Sequence, residues 1–225
     1  MKIKKFNCAP SIDTTLVIPT RSDIHEICKS YQNKIVGQVF PVNDLIDFVG
    51  RFIARKFRVN VLHTSALEVD QNDINISAYY DSELDEQGRV SIELVLITNP
   101  VDEYLIIDQE TWEIFLNRLA DTLAHELIHM RQSRARDFQT VEPRRKHVYN
   151  LDEAIRYLAD PDEIDAYAHN IAVELKEHTN PIQKLQNVQT LSTQISVNLW
   201  AYINTFPLNH PVVKKLLKKV YKLLT

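Results

Sequence analysis

Glycine is scarce, with 3 residues in a chain of 225. Few positions can take left-handed backbone without strain, so Gly-rich phosphate cradles are excluded and long helices are favoured. Cysteine is almost as rare. Cys8 and Cys28 stand alone, with no Cys-x-x-Cys spacing, so no disulfide framework is implied and a reducing compartment fits. No apolar run approaches bilayer length. The basic start Met1-Lys2-Ile3-Lys4-Lys5 is not followed by a hydrophobic segment, because Asn7, Pro10, Asp13 and Arg21 interrupt it. The expectation is a chain without a secretory signal or membrane span, and a cytoplasmic location. Internal repeats and low-complexity tracts are also absent. A net charge of −4 argues against bulk nucleic-acid binding.

What is present is an ordinary globular composition, 44% hydrophobic and 25% charged. Residues 1–40 read as mixed, with Pro10 and Pro19 marking irregular backbone. From Val42 to Phe57, Leu45, Ile46, Val49, Phe52, Ile53 and Phe57 recur at helical spacing, with Asn43 or Asp44 as the expected cap. Three strand-like runs follow, Val59–Leu67, Ile74–Tyr80 and Val90–Thr98, with Asp85-Glu86-Gln87-Gly88 as a turn. Asp108 is placed to cap a long helix reaching about Arg136, whose stripe is Trp112, Phe115, Leu116, Leu119, Leu123, Leu127 and Met130. Beyond a polar loop, helices are expected over Leu151–Leu158, from Asp160-Pro161 to about His178, from Asn180-Pro181 to about Phe206, and from Pro211 onward. Strands early and helices late make an α+β chain.

The chemistry sits in the long helix, in His125-Glu126-Leu127-Ile128-His129. Residues four apart on a helix lie one turn apart on one side, so both imidazoles can reach a single ion. Zn2+ suits imidazole and carboxylate ligands, and a catalytic zinc keeps one position for water. Glu126 sits beside the first histidine, placed to take a proton from that water as general base. On a helical projection the histidines point away from the apolar stripe and share their side with Arg118, Asp121, Thr122 and Gln132. The competing reading is two surface histidines beside a solvated glutamate.

A third protein ligand is required. Glu142, His147, Asp152, Glu153, Asp162, Glu163, Asp165 and His169 all lie downstream. Glu163 is preferred, with Glu153 and His169 next. It falls in the first turn of a helix, and the small Ala166 and Ala168 permit close helix approach. Its rival role is a capping box with Asp160. A transition-state donor or outer-shell partner is sought among Tyr167, Asp165 and His147, with Tyr149 and Tyr157 also available; a tyrosine at 167 is also well suited to core packing.

These residues resemble the zincin metallopeptidases of the gluzincin kind. Glu163-x-x-Ala166 is similar to the third-ligand helix of small gluzincins of the ImmA/IrrE type, and Pro161-Asp162-Glu163-Ile164-Asp165-Ala166-Tyr167-Ala168 resembles predicted peptidases of phages and other viruses. The resemblance rests on these two short motifs. It implies His125, His129 and Glu163 as metal ligands and Glu126 as base. It implies a zincin-like fold: a small, mostly antiparallel sheet and the HExxH helix over 1–136, then a helical part over 137–225 supplying the third ligand. It further implies a protein or peptide substrate, lying along Val90–Thr98 as a sheet edge, and a cytoplasmic or virion setting. Two departures stand out. Tyr167 occupies the position where thermolysin-like gluzincins carry an outer-shell aspartate, and no metzincin continuation follows His129.

Two basic features lie outside this scheme. Arg131, Arg134, Arg136, Arg144, Arg145 and Lys146 flank the motif and could recognise an acidic substrate or nucleic acid, or form a solvated loop. The last helix alternates Lys214, Lys215, Lys218, Lys219 and Lys222 with apolar residues. Such a helix can touch a membrane or a partner, or pack its stripe on its own domain. The expected activity is zinc-dependent peptide hydrolysis. The rivals are a zincin-like assembly module without protease activity and a nucleic-acid-associated protein using the arginines.

Overall fold

A computed structural model describes residues 4–6, 18–139, 150–188 and 196–225. The chain divides into two compact units, Met1–Gln139 and Thr140–Thr225. The fold is mixed α+β, with helices dominant and the sheets small.

In the first unit, β1 (Lys4–Phe6) precedes α1 (Arg21–Ile35), β2 (Gln38–Pro41) and α2 (Val42–Phe57). Next come β3 (Asn60–Ser65), β4 (Ile74–Tyr80), α3 (Ser82–Glu86), β5 (Ile92–Thr98), β6 (Tyr104–Ile107) and α4 (Gln109–Ala135). Helix α1 falls where irregular backbone was expected. Thr20 and Asp23 close a reciprocal capping box at its start, and Ile24, Cys28 and Ile35 give it a buried face. Helix α2 follows its periodicity, but it starts from Pro41 without a side-chain cap, not from Asn43 or Asp44. The turn expected at residues 85–88 is in part helical. Asp81 accepts from the Glu83 and Leu84 amides to start α3, and the chain leaves through Gly88 at φ 68°.

The main sheet has the order β1-β3-β5-β4, and β2 pairs with β6 in a separate two-stranded sheet. Pairing is antiparallel for β1/β3, β4/β5 and β2/β6 and parallel for β3/β5. This corrects the reading of Val90–Thr98 as a sheet edge. Strand β5 lies between β3, with Val61 opposite Leu94, and β4, with Ala78 opposite Leu94. Its Ile92, Leu94 and Leu96 are buried on one face, and Val95 and Ile97 are partly buried on the other. Among the described residues, β1 and β4 are the two edges of this sheet.

Helix α4 carries the HExxH residues. Asp108 caps it, accepting from the Thr111 amide at 2.8 Å. Trp112, Phe115, Leu116, Leu119, Leu123 and Met130 are buried in the core with Leu45, Ile53, Leu94 and Leu96, and Leu127 packs against that cluster. The polar side of α4 is held by three arginine–aspartate pairs. Arg21 of α1 donates twice to Asp121, at 3.0 and 2.6 Å. Arg118 bonds both Asp73 oxygens, at 2.9 and 2.8 Å, at the start of β4. Arg134 donates to both oxygens of Asp85, at 2.8 and 2.7 Å, and Asp85 also accepts from the Tyr80 hydroxyl at 2.9 Å. Arg21 and Arg134 use Nε and Nη2 in planar two-point pairs, which fix orientation as well as distance, whereas Arg118 makes both of its bonds through Nη1. The helix is therefore tied at its middle and at its C-terminal turn.

The second unit is helical. It holds α5 (Leu151–Ala159), α6 (Pro161–Lys176), α7 (Pro181–Gln186), α8 (Val197–Thr205) and α9 (Pro211–Leu224). The single helix expected from Pro181 to Phe206 is replaced by two. Helix α7 ends at Asn187, and α8 starts afresh where Ser196 accepts from the Leu199 amide. The Ser196 hydroxyl donates to the buried Glu174 carboxylate at 2.5 Å, which anchors that new start to α6. Ile164, Ile171, Leu175, Tyr202, Val213 and Leu216 are core residues of this unit, so α9 spends its apolar stripe internally. Among the described residues, no helix is long and apolar enough to cross a membrane.

Candidate metal centre

His125 and His129 project from successive turns of α4. Their Nε2 atoms stand 3.0 Å apart, with ring centroids 4.6 Å apart and planes at 79°. Two nitrogens bound to one tetrahedral zinc at about 2.0–2.1 Å would be roughly 3.3 Å apart. The imidazoles are thus nearly set for a shared ion. The His129 Nδ1 lies 3.0 Å from the Gln132 side-chain oxygen. A proton on Nδ1 donated to Gln132 leaves Nε2 as the lone-pair donor, which is the outer-shell arrangement that orients metal-bound histidine. The motif itself does not announce Gln132, although its i+3 spacing from His129 places it on the same face.

Glu163 is buried in the first turn of α6. Asp160 caps that helix through the Asp162 amide at 2.7 Å, whereas a capping box would engage the amide of Glu163. The hydroxyl of Tyr157, on α5, donates to the Glu163 carboxylate and is also hydrogen-bonded to the Tyr167 hydroxyl. Burial pushes the Tyr157 phenol well above its ordinary value, and the neighbouring Tyr167 and Glu163 add to the shift. The Tyr167 ring lies edge-on between Tyr157, at 6.3 Å and 90°, and Tyr202, at 5.5 Å and 72°. Tyr167 is thus part of the aromatic packing of its unit.

The ligand atoms of His125, His129 and Glu163, all three buried, lie within 4.8 Å of one another, and this group could hold a metal ion. Two imidazoles and one carboxylate are donors that suit a divalent metal ion such as zinc. Glu126 is buried beside His125 on the same helix.

The other expected residues are placed as follows. Asp165 forms an ion pair with Lys219 of α9. Asp152 is exposed, and Glu153 lies in the first turn of α5. Glu142, His147 and Tyr149 lie outside the described residues, as do Arg144, Arg145 and Lys146. Arg134, counted among the basic residues near the motif, is engaged by Asp85.

Comparison with known proteins gives no match to any family model, to any curated protein or to any solved structure.

Proposed function

We propose that the chain is a zinc-dependent metallopeptidase of zincin-like fold. The observation that carries this reading is the convergence of His125, His129 and Glu163, all buried, with Glu126 adjacent on α4. His125, His129 and Glu163 would hold the ion. When bound, zinc acidifies water and polarises a carbonyl.

The chain's own residues supply the remaining steps. The Glu126 carboxylate takes one proton as a water oxygen bonds to the scissile carbonyl carbon. The C–N bond then breaks, and the proton passes from Glu126 to the departing nitrogen. Gln132 keeps His129 in one tautomer and orientation. Tyr157 holds the Glu163 carboxylate from α5, so that ligand is oriented before an ion arrives. An extended substrate would pair with the edge strand β4, against which α4 packs, and not with the internal β5.

A second reading draws on the burial itself. Glu126 is 9% exposed and His129 is 3% exposed, as suits a zinc site that serves assembly alone. Glu126→Gln separates the two. Under the peptidase reading it keeps zinc and loses cleavage of a diverse peptide library, followed by mass spectrometry. Cleavage by Glu126→Gln at the wild-type rate removes Glu126 as base. Absence of cleavage by the zinc-loaded wild type favours the assembly role.

A further inference from the structure

The net charge of −4 conceals a strong segregation. From His178 to Thr225 the chain contains no aspartate or glutamate, and it carries six lysines: Lys184, Lys214, Lys215, Lys218, Lys219 and Lys222. That stretch bears +6, leaving −10 for the rest of the chain. Five of the six lysines lie on α9.

The structure shows how α9 uses its two sides. Val213, Leu216 and Val220 are fully buried in the core of the second unit. Lys219 is partly covered and paired with Asp165 of α6. Lys214, Lys215, Lys218 and Lys222 are exposed, and none of them has an ion-pair partner among the described residues. At about 100° per residue, Tyr221, Lys214, Lys218, Lys222 and Lys215 occupy one arc of roughly 120°. Tyr221 is 47% exposed beside this row.

We propose that this face of α9 binds the phosphate backbone of a nucleic acid without regard to sequence. Three observations favour that partner. First, Val213, Leu216 and Val220 of the apolar stripe are consumed by the core of their own unit, which leaves Tyr221 and Leu223 exposed but no continuous hydrophobic face to sink into a bilayer, as stable attachment to lipid calls for. Second, Lys214, Lys218 and Lys222 form a row inclined to the helix axis, stepping about 6 Å along it and about 40° around it from one lysine to the next. Two nucleotides on one strand of a duplex advance about 6.8 Å, so the row can follow a strand. Third, Tyr221 offers an aromatic surface at the edge of the row, on which an unpaired base can stack. Lysine is a point charge without the planar fork that reads guanine edges, so the contacts favour the backbone over base identity. This proposal is independent of the peptidase reading.

The test uses the full chain and two fluorescent probes of mixed sequence, a 20-base-pair duplex and a 20-nucleotide single strand, read by anisotropy. Four phosphate contacts predict a slope of log K against log salt of about −3.6 on the duplex and about −2.8 on the single strand. On the duplex this is a loss of roughly 150-fold in affinity between 50 and 200 mM salt. The variant Lys214→Gln/Lys215→Gln/Lys218→Gln/Lys222→Gln alters only exposed side chains. It should keep its far-ultraviolet circular dichroism while losing both the binding and the slope. Three outcomes overturn the proposal: no binding of either probe at 50 mM salt, binding retained by the quadruple variant, or wild-type binding to phosphatidylserine-containing vesicles without binding to either probe.

Discussion

Replacing Asp85 by alanine removes the acceptor shared by Arg134 and Tyr80. The Asp85 side chain is 4% exposed and that of Arg134 is 39% exposed. Three hydrogen bonds are lost, at 2.9 Å from Tyr80 and at 2.8 and 2.7 Å from Arg134. Each bond to a charged group is worth about 1.5–3 kcal/mol net. Arg134, however, is exposed enough to regain water, so its two bonds are discounted heavily. The Tyr80 hydroxyl is buried; Ser133 donates to its oxygen, and by turning its own hydroxyl it can accept the freed proton and soften the loss. The expected cost is therefore about 3 kcal/mol, within the range for removing one partner from a buried polar network. Urea unfolding followed by Trp112 fluorescence measures it, in a Trp200→Phe background so that the signal belongs to the first unit. The double variant Asp85→Ala/Arg134→Ala should be less destabilised than the sum of the singles by about 1 kcal/mol or more, because the two residues interact directly. Zinc stoichiometry at saturating metal should not change, since the clamp holds the end of α4 and leaves the donor atoms in place. A cost for Asp85→Ala below about 0.5 kcal/mol, or strict additivity with Arg134→Ala, refutes this account of how α4 is fixed.

The remaining predictions concern the site and the core. Tyr157→Phe removes the hydroxyl that bonds Glu163; zinc affinity should fall about 10-fold with unchanged circular dichroism, measured by competition with a chromophoric chelator. Unchanged affinity would show that Glu163 needs no support from α5. Cys28 is fully buried, and burial pushes its thiol up to about 12. In a Cys8→Ser background, Cys28 should resist a disulfide reagent at pH 8 until urea unfolds the chain; prompt reaction of the native protein contradicts the burial. The same shift has a sign in stability. The unfolded thiol ionises near 9.0, so the contribution of Cys28 to stability is fully present below that pH and is lost as pH rises from 9 toward 12. Glu126→Gln should retain metal and abolish peptide cleavage.

How far the sequence discloses the fold depends on the range of the determining interaction. Helices α2, α4 and α9 follow from periodicity, because Leu45, Leu119 and Leu216 belong to apolar faces repeated every turn. Strand β4 follows from alternation of its own residues. The edge assignment of Val90–Thr98 went astray because neighbour order in a sheet is a long-range property. Strand β5 takes β3 on one side and β4 on the other, and nothing within Ile92–Thr98 says which strands arrive. Strands β2 and β6 are short, and Val39 meets Ile106 across an intervening sequence that holds α2, β3, β4, α3 and β5. Helix α1 was legible in principle, since Thr20-Arg21-Ser22-Asp23 has the capping-box pattern, but Pro19 and a mixed composition masked it. At the candidate site, the His125–His129 spacing is local and visible. Glu163 is one of several downstream acids, and what distinguishes it is burial against Tyr157, which depends on α5 meeting α6. Net charge summed over the whole chain likewise hides the acid-free C-terminal stretch.

The central claim is that His125, His129 and Glu163 hold one zinc ion, and zinc content with binding titration tests it most directly. Purified protein, loaded with zinc and dialysed without chelator, should carry one equivalent. His129→Ala and Glu163→Ala should each retain far less at the same free zinc, with circular dichroism confirming the fold. Wild type carrying no zinc, or Glu163→Ala binding it with wild-type affinity, contradicts the account.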